Sequence, residues 1–212
     1  YVGDLLMAEF GVPVPVDDHA VRACRAALRM RDELRRRREA WRARGLPMLH
    51  ARTGINTGTV LVGNLGSHRM MDYTCMGDHV NLASRLEGLN NVYGTEIIVS
   101  EFTWREVQAH FIGREIDRVR VMGRDGVVAV HELVAAREDG VDADTSALLA
   151  GFAAALALYR ARRFGEAADA FRVLVERHPE DGPSAVYVER CREYAIHPPS
   201  DAWDGAHQLA SK

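Results

Sequence analysis

Residues 51–87 read ARTGINTGTVLVGNLGSHRMMDYTCMGDHVNLASRLE, and this stretch decides the fold because it predicts several strands followed at once by a helix. The segment from Gly77 to Glu87 predicts the start of that helix, and Asn81 and Arg85 within it are four positions apart. Residues at this spacing lie on one face of a helix. An amide beside a permanently charged guanidinium suits a sugar and a phosphate better than an apolar core.

The composition is that of a globular protein. The 212-residue chain has a net charge of −3 and a hydrophobic content of 47%, which argues against nucleic-acid binding through a strong positive field. No apolar run approaches the roughly 20 residues that cross a bilayer. Cys24, Cys75 and Cys191 match no metal or disulfide pattern. We therefore expect a cytoplasmic location, with a membrane anchor only if one lies upstream.

Apolar spacing along the first two thirds of the chain predicts alternating helices and strands. Residues 1–12 are expected to form a strand, a Gly-Asp turn and a second strand. A long helix is expected from Asp17 or Asp18 to about Ala43. The other predicted elements are strands at 50–56 and 59–65 joined by a tight turn at Thr57-Gly58, a strand at 70–75, the Asn81 helix to about Leu89, a strand at 96–99, a helix at 101–107, and a hairpin of 112–121 with 127–134. This order predicts an α+β fold with helices on one face of a mainly antiparallel sheet.

The last third of the chain is predicted to be a small all-α segment. The polar stretch 136–146, AREDGVDADTS, predicts a linker between a first domain, residues 1–135, and a helical segment, residues 147–212. The helical segment has the spacing of one tetratricopeptide repeat at Ala155, Phe164, Ala167, Phe171 and Pro179. One repeat cannot bury its own apolar face. We therefore expect it to pack on the first domain, on a second copy of the chain or on a partner.

Residues 50–100, together with Tyr1-Val2-Gly3-Asp4, resemble the catalytic core of the class III nucleotidyl cyclases, the adenylate and guanylate cyclase family. The resemblance implies a ferredoxin-like, palm-type domain. It also implies that the protein converts ATP to 3′,5′-cyclic AMP and pyrophosphate in signal transduction. In this family the active site forms at a head-to-tail dimer interface, so the resemblance implies a homodimer with two composite sites.

The resemblance assigns roles to five residues of this chain. Asn81 would orient the ribose, and Arg85 would stabilise the phosphate in the transition state. Asp4 would be the second of two aspartates that hold two Mg²⁺ or Mn²⁺ ions, the first aspartate lying upstream. Thr74 would accept a hydrogen bond from the adenine amino group, and Arg124 would reach the triphosphate.

Thr74 occupies the position at which many adenylate cyclases have Asp and guanylate cyclases have Cys, so the chain resembles the Thr-bearing bacterial adenylate cyclase subclass. Cys75 is one position out of register and is expected to point to the opposite face of its strand. Asp78 is interpreted as a helix cap rather than a metal ligand. His79 is interpreted as a surface residue.

Two other functions stay open at this point. A guanylate cyclase would differ only in its base-selecting residues, and a catalytically inactive cyclase-like module would only dimerise and regulate. A peptide-binding scaffold is a weaker alternative, because one helical repeat offers little groove. The sequence starts at Tyr1 without an initiator Met. We therefore expect an N-terminally truncated domain, with the base-selecting lysine position, the first metal aspartate and a sensor domain upstream.

Overall fold

The computed structural model describes residues 5–67, 70–120 and 126–208. These residues form an α+β fold, which confirms the predicted class. The elements in chain order are α1 (His19–Ala43), β1 (Thr53–Ile55), β2 (Leu61–Ser67), β3 (Met70–Met76), α2 (Asp78–Tyr93), β4 (Ile97–Ser100), α3 (Glu101–Val107), β5 (Phe111–Arg120), β6 (Val127–Ala136), α4 (Ala143–Arg160), α5 (Phe164–Arg177), α6 (Gly182–Ile196) and β7 (His207–Gln208).

The described strands form two separate sheets. The larger sheet has the order β1-β4-β6-β5-β7, with antiparallel pairs in its centre and a parallel pair at each edge. The smaller sheet is the antiparallel pair of β2 and β3. The predicted tight turn between β1 and β2 is therefore wrong, because β1 pairs with β4 and β2 pairs with β3. The predicted hairpin of β5 and β6 is confirmed.

Helices cover both faces of the larger sheet, not one face as predicted. The side chains of β4 alternate between the two faces, as a strand requires. Ile97 and Val99 join a core with α1 and α3. Ile98 joins a second core with α2 and the C-terminal helices. The sheet is thus the middle layer of a three-layer arrangement, and α2 lies on the same side of it as the last third of the chain.

The N-terminal region differs from the prediction in two respects. Residues 1–4, where the first strand is expected, lie outside the described residues. Leu5 forms an isolated bridge and residues 6–12 have no regular structure, so the second predicted strand is wrong. The long helix is confirmed from His19 to Ala43, although Asp18 at its N-cap makes no side-chain capping bond.

The helical segment packs on the sheet of the first domain. β6 reaches Ala136 and α4 begins at Ala143, so a loop of residues 137–142 joins them. Four of the five predicted repeat positions, Ala155, Phe164, Ala167 and Phe171, are buried and share one core with β4, β5 and β6, whereas Pro179 is exposed. Of the three packing partners expected for this segment, the structure shows the first domain. Among the described residues no helix combines the length and the apolar character needed to cross a membrane.

Candidate active site

The structure places three of the five predicted site residues on either side of one strand-to-helix turn. Thr74 lies on β3 and is half-buried, whereas Asn81 and Arg85 lie on the first two turns of α2 and are exposed. Only Gly77 separates β3 from α2. The sequence therefore brings a hydroxyl, an amide and a guanidinium to one corner of the fold. Asp4 and Arg124 lie outside the described residues, so their predicted positions are not described.

The turn itself depends on glycine. Gly77 occupies the N-cap position of α2 with a φ of 142°, a region that side chains with a Cβ rarely adopt. Asp78 is the first residue of the helix, and α2 has no side-chain capping bond. The interpretation of Asp78 as the capping residue is therefore wrong. An acidic side chain in the first turn still favours the positive end of the helix dipole.

Asn56, in the loop after β1, holds the first turn of α2. Its amide nitrogen donates to the backbone carbonyl of His79 at 2.9 Å and lies 3.0 Å from His79 Nδ1. Its amide oxygen accepts a 2.6 Å hydrogen bond from the buried hydroxyl of Ser100. Because an amide nitrogen only donates, His79 Nδ1 accepts and the ring hydrogen lies on Nε2. His79 stands two positions before Asn81, so this network fixes the part of the helix that carries the predicted ribose contact.

The same network extends to α3. Ser100 is the N-cap residue of α3 and accepts a hydrogen bond from the backbone N–H of Thr103. The Thr103 hydroxyl lies 3.1 Å from that of Thr57 in the β1–β2 loop. Hydrogen bonds therefore join the start of α2, the end of β4 and the start of α3 through polar side chains that are buried or half-buried.

Two glycines let α2 lie directly on its neighbours. A Cβ on Gly54 would stand 2.2 Å from the carbonyl oxygen of Ala83 and 2.3 Å from the backbone nitrogen of Glu87. A Cβ on Gly58 would stand 2.1 Å from Nδ1 of His79. Because the atoms facing Gly54 are backbone atoms on either side of Arg85, this glycine sets the position of the second turn of α2.

Asn56 and His79 are the site residues that the sequence analysis does not identify. His79 is half-buried and hydrogen-bonded, and its ring also makes an edge contact with Phe102 at a centroid distance of 5.8 Å. Its interpretation as a surface residue is therefore wrong. One feature of the sequence could have indicated Asn56. It directly follows the apolar Ile55, and a strand that continued into the core would not carry an amide side chain there.

The thiol of Cys75 faces the N-terminal segment. Cys75 Sγ lies 3.9 Å from Met7 Sδ, and burial together with the nearby Glu9 raises the pKa of the thiol to about 11. Side chains alternate along a strand, so Thr74 and Cys75 project from opposite faces of β3. The segment that follows Asp4 along the chain therefore lies against β3.

Within the ranges 5–67, 70–120 and 126–208, no group of three or more His, Cys, Asp or Glu side chains is placed so that it could hold a metal ion. Carboxylates are the ligands that Mg²⁺ prefers in proteins.

Comparison with known proteins identifies the family. The family model for the adenylate and guanylate cyclase catalytic domain matches residues 1–134. The chain belongs to this family. The match ends within β6, so the α4–α6 segment lies beyond the family domain. Cyclases of this family generally use divalent metal ions.

Two relatives that are at least 30% identical to this chain are adenylate cyclases. Adenylate cyclase 1 of Rhizobium meliloti (strain 1021) is 39% identical over 132 residues, which are 62% of this chain and 20% of that protein. The terminal-differentiation specific adenylate cyclase of Dictyostelium discoideum is 30% identical over 199 residues, 90% of this chain and 9% of that protein. The chain thus spans a fifth or less of these two relatives.

Two solved structures share the fold. The adenylyl cyclase CyaB from P. aeruginosa has a TM-score of 0.54 and 34% identity, over 61% of this chain and 67% of that one. The guanylyl cyclase Cya2 has a TM-score of 0.52 and 29% identity, over 60% of this chain and 64% of that one. These comparisons confirm the predicted cyclase domain and leave the choice of base to the residues of this chain.

Proposed function

We propose that the protein is an adenylate cyclase, which converts ATP to 3′,5′-cyclic AMP and pyrophosphate. The observation that carries this proposal is the β3–α2 turn, which puts Thr74 beside the first two turns of the helix that bears Asn81 and Arg85. The 39% identical adenylate cyclase of Rhizobium meliloti supports it.

In the proposed reaction the ribose 3′-oxygen attacks the α-phosphorus, the bond to pyrophosphate breaks, and the 3′-hydroxyl proton is lost to solvent. Arg85 compensates the negative charge that develops on the phosphate oxygens, an effect of about 3 kcal/mol for one well-placed donor. Asn81, one turn earlier, offers a donor and an acceptor that orient the ribose. Thr74 offers a hydroxyl oxygen to the adenine amino group.

We propose Asp4 as a ligand for Mg²⁺ or Mn²⁺, with a further carboxylate supplied by sequence ahead of Tyr1. When bound, such ions activate the 3′-hydroxyl and compensate phosphate charge. Arg124 is proposed to contact the triphosphate.

We propose that the active site is composite and forms in a head-to-tail homodimer. The β2–β3 sheet exposes large apolar side chains, with Leu61, Tyr73 and Met76 each more than half accessible. An isolated two-stranded sheet is marginally stable in water, and exposed apolar patches commonly mark interfaces. Asn81 and Arg85 are exposed on the adjacent helix, where a second chain can complete their surroundings.

Subunit mixing tests the composite site. Asp4→Ala and Arg85→Ala are each expected to be nearly inactive alone. When the two variants are mixed, half of the dimers are heterodimers with one intact site of two, so activity should return to about a quarter of the wild-type value. Absence of recovery, with heterodimers demonstrated by native mass spectrometry, would exclude the composite site.

The base assignment rests on Thr74. A threonine hydroxyl accepts a hydrogen bond from the amino group of adenine, and membership of the Thr-bearing bacterial subclass is part of this proposal. A guanylate cyclase is the second candidate, favoured by the similarity to Cya2. Thr74→Ala should lower activity with ATP more than activity with GTP if the proposed contact exists.

The decisive experiment is nucleotide cyclisation by the protein extended upstream of Tyr1 to a complete catalytic domain. We expect cyclic AMP from ATP and Mn²⁺, separated by chromatography, and at least a 100-fold loss in Arg85→Ala. Arg172→Ala is the matched control, because Arg172 is an exposed arginine on α5 whose ion pairs with described residues, Asp169 and Glu176, lie within its own helix. If the protein forms only cyclic GMP from GTP, the assignment of adenine recognition to Thr74 is wrong. If a folded dimer forms no product, an inactive regulatory module is favoured.

Three further features belong to this proposal. We infer a cytoplasmic location, because ATP is the substrate, and control by a sensor domain upstream. We also assign a tetratricopeptide-like repeat to the helical segment predicted at residues 147–212, although its first helix already begins at Ala143 and the loop before it spans residues 137–142 rather than the predicted 136–146. The burial of Ala155, Phe164, Ala167 and Phe171 supports the repeat assignment.

A further inference from the structure

The α4–α6 segment shares its core with the cyclase domain and does not form a separate unit. Phe152 and Tyr187 of this segment lie in one buried cluster with Ile98, Ile116 and Val130 of the sheet. The cluster also contains the inner face of α2, namely Leu82, Leu86, Leu89 and Tyr93. The helix that carries Asn81 and Arg85 therefore packs in the same core as a segment that the family domain does not include.

A buried ion pair joins α6 to β5, and the hydroxyl of Tyr93 at the C-terminal end of α2 is hydrogen-bonded to it. Arg190 Nη1 lies 2.6 Å from Asp117 Oδ2 on β5, and Tyr93, the last residue of α2, donates its hydroxyl hydrogen to the same carboxylate. Arg190 Nη2 is 3.4 Å from the Tyr93 hydroxyl. The side chains of Arg190 and Asp117 are 6% and 1% exposed. Burial raises the pKa of Tyr93, so its hydroxyl remains a donor.

A close backbone contact reinforces this junction. Gly182 is the first residue of α6, and a Cβ there would stand 2.1 Å from the carbonyl oxygen of Tyr93 and 3.1 Å from Cα of Gly94. The start of α6 thus rests on the end of α2 without an intervening side chain.

We propose that Arg190 is a positioning residue for cyclisation, which acts through Asp117 and Tyr93 to hold α2, and with it Asn81 and Arg85, in the productive orientation. The proposal rests on the proposed function. α2 is one continuous helix, about 24 Å long at 1.5 Å per residue. A rigid rod held at one end by Asn56 and at the other by Arg190 keeps its exposed residues in place, whereas release of one end allows it to tilt. The α4–α6 segment then supports the orientation of α2 through Arg190.

A second buried ion pair provides a comparison within the same segment. Arg114 on β5 pairs with Asp181 and with Glu132, and its side chain is 5% exposed. It lies over the ring of Phe152, as Arg190 lies over the ring of Tyr187. Arg114 thus anchors the same segment to the same sheet, but none of these partners lies on α2. Loss of either arginine should destabilise the fold, and only the loss of Arg190 should reduce turnover beyond that.

The first test compares two buried tyrosines in the protein extended upstream of Tyr1. Tyr93→Phe removes the hydroxyl that joins α2 to Asp117, whereas Tyr187→Phe removes a buried hydroxyl that has no hydrogen-bond partner among the described residues. Because small misplacements of reacting groups cost large factors in rate, we expect Tyr93→Phe to lower kcat about tenfold with little change in KM, and Tyr187→Phe to stay within about twofold. Equal kcat values for the two variants would overturn the proposal.

Hydrogen exchange separates this proposal from the proposed function. Wild-type cyclic AMP formation is measured first, and its absence refutes the proposed function alone. Exchange at the α2 amides then decides the positioning role without reference to activity. We expect faster exchange along Asp78–Tyr93 in Tyr93→Phe than in Tyr187→Phe, and identical protection would overturn the proposal.

A second pair of variants guards against a general loss of stability. Arg190→Met and Arg114→Met are compared at a temperature at which both are folded by circular dichroism, and Arg190→Lys serves as the conservative variant. We expect a lower kcat in Arg190→Met than in Arg114→Met and partial recovery in Arg190→Lys. If the two Met variants lose kcat equally, the role is structural only.

Discussion

Gly54→Ala is the substitution that tests most directly whether the position of α2 controls the site. The added Cβ would stand 2.2 Å from the Ala83 oxygen, 2.3 Å from the Glu87 nitrogen and 2.9 Å from the Leu86 carbonyl carbon. Ordinary contacts of this kind are about 3.5 Å, so α2 must retreat by roughly 1 Å. The atoms in the way belong to the backbone, and no rotamer change can relieve the clash.

The expected result is a large loss of turnover with a smaller loss of stability. A displacement of about 1 Å costs on the order of 100-fold in rate, and overpacking costs about 1–3 kcal/mol of unfolding free energy. The assay is kcat for cyclic AMP formation, with urea unfolding followed by circular dichroism on the same samples.

Gly88→Ala is the matched control on the same helix. A Cβ on Gly88 meets nothing within 4 Å, and alanine is preferred to glycine in a helix by up to about 1 kcal/mol. This variant should retain wild-type kcat and unfold at slightly higher urea concentration. If folded Gly54→Ala keeps more than half of the wild-type kcat, the reasoning that ties this contact to the site is wrong.

Three other expectations concern pH, the polar network and a helix cap. Burial lowers the pKa of His131 to about 4, so the folded state favours its neutral form. The free energy of unfolding should therefore be highest above pH 6.5 and fall by about 3 kcal/mol between pH 6.5 and 4. Urea titrations should find a smaller pH dependence in His131→Phe. Asn56→Ala leaves the His79 carbonyl and ring without their donor, so kcat should fall at least tenfold while Asn56→Asp, which keeps the shape but not the donor, does no better. Asp142→Ala removes the cap that accepts from the Thr145 N–H and should lower the melting temperature without affecting kcat.

The sequence predicted local elements well because their signals are local. The α3 helix is found at Glu101–Val107 as expected. In the β5–β6 hairpin, β5 begins one residue earlier than predicted and β6 ends two residues later. The pairing of β1 was not predictable in this way. Its partner is β4, with Thr53 opposite Ile97, and no local pattern links strands that far apart. Thr57-Gly58 resembles a hairpin turn, but Gly58 is required there for contact with the His79 ring.

The candidate site follows the same division. Asn81 and Arg85 were identified from their spacing within one helix, and their catalytic roles stay predictions. The Asn56–His79 contact joins residues 23 positions apart, so it emerges only when β1 and α2 pack together. The link between Tyr93 and Arg190 spans 97 positions and crosses the expected domain boundary. Long-range polar contacts of this kind leave no periodic trace in a sequence.

The shared core has a consequence for how this chain can be shortened or fused to other proteins. A protein engineer who trims the chain after residue 134, where the family match ends, would remove the cover from Ile98, Ile116, Val128 and Val130. We expect the shortened protein to expose an apolar face of the sheet to water and to aggregate. A fusion of the cyclase domain to another regulatory protein should therefore include the chain through Tyr187 and Arg190. The folding unit is larger than the segment that matches the family.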